Sequence, residues 1–539
     1  MDRPADLVAL NGPVFTSDPA RPWAEAVAVR GGVITTVGTG AEVEANIGPT
    51  TEVIDLRGRL LSAGFQDAHV HPITAGLDRL RCNLLEAVDL NAGLAVIRRY
   101  RAENPDVEWV RGGGWKFDWF AGGLAPISLL DELVPDRPAY LEVADGHAAW
   151  VNSRALEAAG IDASTPDPDD GRIERNADGS VQGTLQEGAM SLVARVLPTN
   201  TVDELDRALL EAQQYLFSFG ITAWQDAWVT RELHDTYLRL VSAGRLRAQV
   251  RGALWWDRHR GRDQFEEMEE LRRESVPGYQ AGSVKLMLDG VCENFTARML
   301  DPYLDAGGES TTNHGVGFLD PDALPGIVTE TVRRGFQPHF HALGDAAVRD
   351  ALDAIWTARR DIGQTDVRPH LAHIQVIHPD DIPRFRPLGA AANIQALWAC
   401  ADETMQVLTT PFLGAERSAH QYPFGDLARA GAHLAMGSDW AVSTPDVMGQ
   451  IDVAVTRQIP DDPGSEPFLP AQRLSLEEAF TGFTIGSAYV NFLDVERGSI
   501  QPGKVADLVV LDRNPFEDGR TAGTEVDLTF LAGEAVFER

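Results

Sequence analysis

The sequence predicts an α/β chain: a (β/α)8 barrel of TIM type, a small β-sandwich built from both termini, and an insertion subdomain after the first barrel strand. Three observations predict it. Apolar, strand-like segments end near His71, Asp226, Trp256, Asp289, Leu343, Gln375, Trp398 and Trp440, with helical patterns such as Val202 to Phe219, Pro321 to Arg334 and Asp345 to Arg360 between most of them. Short alternating strands recur at both ends of the chain. Roughly 150 residues separate the first two barrel segments, far more than a simple connection needs.

In chain order, Asp6 to Leu10, Ala26 to Val29 and Gly32 to Gly38 read as half-buried strands divided by turns, and Ala506 to Asp512 and Glu525 to Leu531 read the same way. Neither end carries enough strands for a stable sheet, so the economical expectation is one unit from residues 1–60 plus 490–539, with the termini meeting in space. The barrel is expected over 61–80 plus 200–489. Residues 81–199, rich in Gly, Pro and Trp (Trp109, Trp115, Trp119, Trp150), are expected to form a cap with its own helices over the barrel mouth.

A length of 539 residues exceeds one compact core of ordinary size. The net charge of −33 argues against nucleic acid or an anionic membrane as partner and leaves a small-molecule substrate. Apolar runs fall short of the roughly 18 residues a membrane helix needs. The N-terminal residues show no basic-then-apolar leader pattern, which makes a cytoplasmic location the default. Cys82, Cys292 and Cys400 are widely separated and suggest packing thiols in a reducing compartment.

Residues i and i+2 of a strand share a face, so His69 and His71 aim two imidazoles at one point, with Asp67 on the same side. Alone, such a pair also fits two hydrogen-bonded surface histidines. The wider map adds His341 on the fifth candidate strand, His373 on the sixth and Asp439 on the eighth, each at the C-terminal end where barrel enzymes place their chemistry. Imidazoles and a carboxylate suit zinc and similar divalent ions. His339 shares a face with His341 and is a rival ligand, expected to pack below the site; His370 competes with His373 from deeper on its strand. His234, His259, His314, His378, His420 and His433 read as ordinary surface or loop residues.

Only three of the 47 basic side chains are lysines: Lys116, Lys285 and Lys504. Lys285 lies within the fourth candidate strand, where an unpaired charge is costly. It either pairs with Asp226 or Asp289, or reacts with carbon dioxide to form a carbamate able to bridge two metal ions, which arginine cannot do.

Together these residues resemble the amidohydrolase superfamily. Gly64 to Pro72, Lys285 to Gly290, His341 to Asp345, Gly437 to Trp440 and Pro502 to Leu511 resemble the amidohydrolase-3 branch, which includes N-substituted formamide deformylases. Ala372 before His373 departs mildly from the branch's usual Glu-His. The resemblance implies a barrel with a composite β-sandwich and a centre of one or two zinc-type ions.

The expected reaction is metal-assisted hydrolysis of an amide or formamide-like C–N bond. The metal, on His69, His71, Lys285 carbamate, His341 and His373, acidifies water, and Asp439, itself also a candidate metal ligand, carries its proton to the leaving nitrogen. A mononuclear deaminase or cyclic amidohydrolase is the alternative within the superfamily, and a non-catalytic sensor or regulator that kept the fold is the alternative outside it. Gly112 to Trp115 and Ala144 to His147 resemble cap motifs of the branch, which makes Trp115, Asp145, His147 and Glu187 candidate substrate contacts. Asp289, Trp398 and Trp440, at strand ends, are further candidates. Homodimers are common in the superfamily, so a homodimer is the expectation by analogy.

Overall fold

In the computed structural model, residues 4–85, 87–460 and 462–539 are described. Eight parallel strands form the central sheet in sequential order: β1 (Phe65–Val70), β2 (Ile221–Val229), β3 (Gln249–Trp255), β4 (Tyr279–Met287), β5 (Gln337–Ala342), β6 (His370–His373), β7 (Ala391–Ile394) and β8 (His433–Met436). This is the order of a TIM-type barrel. Helices follow most strands. Val202–Ser218 begins at a capping box in which Thr201 and Glu204 satisfy each other's backbone N–H groups, and it buries Leu205, Leu209, Leu216 and Phe217 against the strands. Strand alternation is plain at the end of β3: Trp255 is only half-buried, and in register with Lys285 of β4, whereas Trp256 packs outward on Phe265. Among the described residues, no helix is long and apolar enough to cross a membrane.

Between β8 and β1 the ring is closed by the residues just beyond the strands. Asp439 N–H donates to His69 O at 2.8 Å and His71 N–H to Trp440 O at 2.7 Å. Below them Asp67, fully buried, accepts from His69 N–H (3.0 Å), from Ser438 N–H (3.0 Å) and from Ser438 Oγ (2.5 Å). Burial pushes the Asp67 carboxyl up to about 7 even though these donors pull the other way. Asp67 therefore points into the seam, not into the mouth.

The two ends of the chain meet in two sheets. One runs Val33–Gly38, Ala26–Arg30, Leu7–Leu10, Glu52–Asp55, the other Glu534–Glu538, Val526–Leu531, Leu508–Leu511, Leu61–Ala63, Val14–Phe15, Trp23–Ala24. They share a core that includes Leu7, Val14, Val27, Ile34, Leu61, Leu508, Val510 and Phe530. This unit runs past the expected boundary at residue 60. Gly64 divides the apolar run: its N–H bonds Asp507 O, and Phe65 N–H bonds Gly220 O in the barrel. A Cβ on Gly64 would lie 2.7 Å from Thr222 Oγ1, so only glycine fits the crossing.

Residues 82–187 hold a six-stranded sheet, ordered Gly171–Arg175, Val181–Glu187, Ala148–Val151, Ala139–Val143, Val110–Trp115, Cys82–Asn83, with the helices Leu90–Glu103, Ile127–Leu133 and Ser153–Ala159. Helices were expected in the insertion; the sheet was not, because Gly112-Gly113-Gly114 gives one of its inner strands no β-type pattern.

Asp67→Ala leaves three buried donors unsatisfied at the seam. It should cost on the order of 3 kcal/mol in denaturant unfolding. Wild-type stability in that variant would show that the carboxylate does not hold the ring closed.

Candidate metal centre

Every donor sits at the C-terminal rim because its strand places it there. His69 lies within β1, and His71 follows it at the N-terminal end of the helix Pro72–Leu80. Lys285, His341 and His373 belong to β4, β5 and β6, and Asp439 follows β8 by three residues. Asp439 is the hub: its Oδ1 is 3.1 Å from His71 Nε2 and 3.5 Å from His69 Nε2, and its Oδ2 is 3.7 Å from His373 Nδ1. The donor atoms of His69, His71 and Asp439 lie within 4.8 Å of one another. Lys285 Nζ is 3.3 Å from His69 Nε2, and the His341 ring is 4.6 Å from that of His373.

The histidines below the rim orient those above it. His339 Nε2 is 2.8 Å from His69 Nδ1, which fixes the His69 ring with Nε2 toward Asp439. His339 is itself fully buried, while His341 lines the cavity. His370 is held lower still, by Gln225 Oε1 at 3.0 Å.

Electrostatics favour a cation here. Burial, with Lys285 nearby, holds His69 well below its usual value; burial does the same to His341 and takes His373 to about 3, so these rings are neutral donors. Burial opposes charge on Asp439, yet His71, His373 and Lys285 keep its carboxyl below the usual range, and it stays ionised. Both His373 nitrogens and Asp439 Oδ1 are buried without a hydrogen-bond partner. Buried polar atoms rarely stay unpaired, and a divalent ion satisfies this donor set. His373 (φ 79°) and Asp439 (φ 52°) adopt left-handed backbone, as does Glu187 of the cap (φ 52°), strain of about 1–3 kcal/mol each that clusters at working sites.

The rim opens into a cavity of about 440 Å³ also lined by Asp145, His147 and Glu187. His147 Nδ1 is 3.0 Å from Glu187 Oε2, and Glu187 Oε1 accepts from Thr296 Oγ1 at 2.8 Å, which ties the cap to the loop after β4. Burial opposes a charge on His147, but Glu187 lifts the imidazole to about 9, so the ring that lines the cavity is a cation held through Nδ1. Trp398 stacks on His373 at 5.5 Å and borders both this cavity and an adjoining one of about 600 Å³.

Other candidates are placed elsewhere. Trp115 is fully buried in the cap core against Phe117 and Trp150, with Nε1 donating to Leu141 O, so it is a packing residue. Asp289 is fully buried, accepts from Gly344, Arg298 and Leu343 N–H groups and lies 3.3 Å from His341 Nδ1; it orients that ring instead of meeting substrate. Trp440 packs on Tyr215 and borders only the adjoining cavity. His234 is not a surface residue: the inward face of its helix buries it between Tyr279 and Glu274. His433 packs on Tyr489 and bonds Gly486 O. His259, read as an ordinary loop residue, reaches the cavity rim beside Arg258. Trp228, Trp255 and Arg258 were missed altogether, although Trp228 stands two residues beyond Asp226 on the same strand.

Residues 52–537 match the amidohydrolase-3 profile of the amidohydrolase family. N-substituted formamide deformylase of Arthrobacter pascens is 29% identical over 552 residues, covering 100% of this chain and 99% of its own. Protein LONG AFTER FAR-RED 3 of Arabidopsis thaliana is 31% identical over 556 residues, covering 99% and 92%. The crystal structure of an uncharacterized metal-dependent hydrolase from Pyrococcus horikoshii ot3 shares the fold, with a TM-score of 0.72 at 22% identity over 94% of this chain and 98% of that one. With its sequence matched from end to end and its barrel carrying this cluster of donors, the chain belongs to the amidohydrolase family.

Proposed function

We propose that the protein is a metal-dependent hydrolase that cleaves the C–N bond of an amide or formamide-like small molecule. The observation that carries this reading is Asp439: an ionised, buried carboxylate with an unpartnered oxygen, facing three imidazoles at the floor of a cavity. The name of the Arthrobacter pascens relative supports the formamide class.

His69, His71, His341, His373 and Asp439 would hold a divalent ion, zinc by the chemistry of the donors. When bound, such an ion supplies Lewis acidity for water and carbonyl. Asp439 accepts the proton that water loses as its oxygen bonds the carbonyl carbon, and delivers it to nitrogen as the C–N bond breaks. His147, a cation backed by Glu187 with its ring 5.5 Å from that of His341, would offer a hydrogen bond to the substrate beside the donors.

Lys285 bears on whether one ion or two is held. Burial lowers its amine to about 8, against Asp439 and Asp226, which pull it up; the fraction neutral near pH 7 is therefore larger than for an exposed lysine. A neutral amine can add carbon dioxide and lose a proton to give the carbamate that two ions require. The second reading is a one-ion centre with Lys285 unmodified and a deaminase or cyclic-amide reaction; its support is that the donor atoms of His69, His71 and Asp439 lie close enough together for a single ion. A sensor without activity fits less well, since every expected donor is present at the rim.

Zinc-loaded protein should hydrolyse members of a panel of formamides, N-acyl amino acids and cyclic amides. Asp439→Asn should retain metal while kcat falls about 1000-fold. Undiminished turnover in that variant would remove Asp439 from the reaction.

Removing metal exposes a pH dependence. Folded His370 and His373 titrate at about 3 because burial disfavours their charge, against an ordinary 6.5. The unfolded chain therefore binds more protons between these values. Metal-free protein should be at full stability above pH 6.5 and lose it steadily toward pH 3. Denaturation midpoints that stay flat from pH 6.5 to 4 would contradict neutral buried rings.

A further inference from the structure

Tryptophan is usually well buried, yet Trp228, near the end of β2, is 46% exposed. Its place is not the outer surface. It lines the same cavity as the metal donors, next to Trp255 of β3, with ring centroids 4.9 Å apart and planes inclined by 33°. Trp255 is in register with Lys285, so its indole and that amine leave the sheet on the same side. By contrast Trp356, 51% exposed on an outer helix, has the Arg360 guanidinium over its ring.

The wall beside the pair is fixed. Arg258 donates from Nε to Asp170 of the cap at 3.0 Å, and its guanidinium lies 4.2 Å from the centroid of the Phe318 ring, which also lines the cavity. The positive charge here is thus matched within the protein, and the Phe318 face is taken. What remains open is indole surface, joined through one cavity to the donors at the floor.

We infer that Trp228 and Trp255 form an aryl-binding subsite, and that the substrate carries a neutral planar aromatic group which stacks on this pair while its amide reaches the metal donors. The ring quadrupoles of two indoles favour a flat aromatic partner over a saturated ring of equal size, and the Arg258–Asp170 pair, its charges already matched, gives a charged ring no counter-ion on that wall. This inference rests on the hydrolase reading for the position of the amide, but not for the binding of the ring.

The test therefore has two arms. In the first, metal-free protein is titrated by calorimetry with benzyl alcohol, cyclohexylmethanol and benzylammonium. Benzyl alcohol should bind about 5-fold tighter than the saturated analogue, the size of one aromatic stack. Trp228→Leu should abolish the difference, and Trp228→Phe should preserve most of it. In the second arm, the KM ratio between N-benzyl and N-cyclohexylmethyl formamides should show the same preference in zinc-loaded protein and lose it in Trp228→Leu. Equal binding of the two alcohols, tighter binding of benzylammonium, or a preference that survives Trp228→Leu would overturn the subsite. An aryl preference in binding without hydrolysis of any amide would instead overturn the hydrolase reading and leave the subsite standing.

Discussion

Asp67 lies fully buried between the first and last barrel strands, where its carboxylate gathers the His69 and Ser438 N–H groups and the Ser438 hydroxyl. Directly above, Asp439 N–H bonds His69 O and His71 N–H bonds Trp440 O. These bonds fix the register between residues 67–71 and 438–440, and hence the 3.1 Å approach of Asp439 to His71. The donors of β4, β5 and β6 reach the same point only because the ring is closed. A carboxylate that contacts no substrate therefore sets the geometry of the one that is proposed to carry the proton.

The cap is joined to this centre by a second set of polar contacts. Glu187, in left-handed backbone, bonds Thr296 and His147 together, and Asp170 holds Arg258. One consequence is that the cap over the cavity is positioned by charges already paired within the protein, while the exposed indole surface of Trp228 belongs to the barrel wall. The other is that cap and barrel loop are tied together: Glu187 bonds Thr296, Thr296 follows Asp289 closely in sequence, and Asp289 orients His341.

The barrel and its donors were legible because two local rules suffice for them. Strand alternation put His69 with His71, and the preference for C-terminal strand ends ranked His341 above His339 and His373 above His370. What those rules cannot give is whether a side chain at a strand end turns into the cavity or into the core. Asp289 turns inward to cap backbone N–H groups, Trp115 fills the cap interior, and Trp228 does the opposite and stays open. The cap sheet was hidden by Gly112 to Gly114, and the split of one apolar run between two sheets hung on Gly64. Each of these depends on packing partners more than 20 residues away, which a local pattern does not contain.

The central claim is that these donors form one metal centre. Anomalous diffraction from crystals of zinc-loaded protein tests it most directly. The account predicts a strong peak about 2.0–2.3 Å from the nitrogens of His69 and His71 and from an Asp439 oxygen, with a second peak beside a carbamylated Lys285 if two ions are held. Zinc bound instead at His234 and Glu274, with no peak at Asp439, would contradict it.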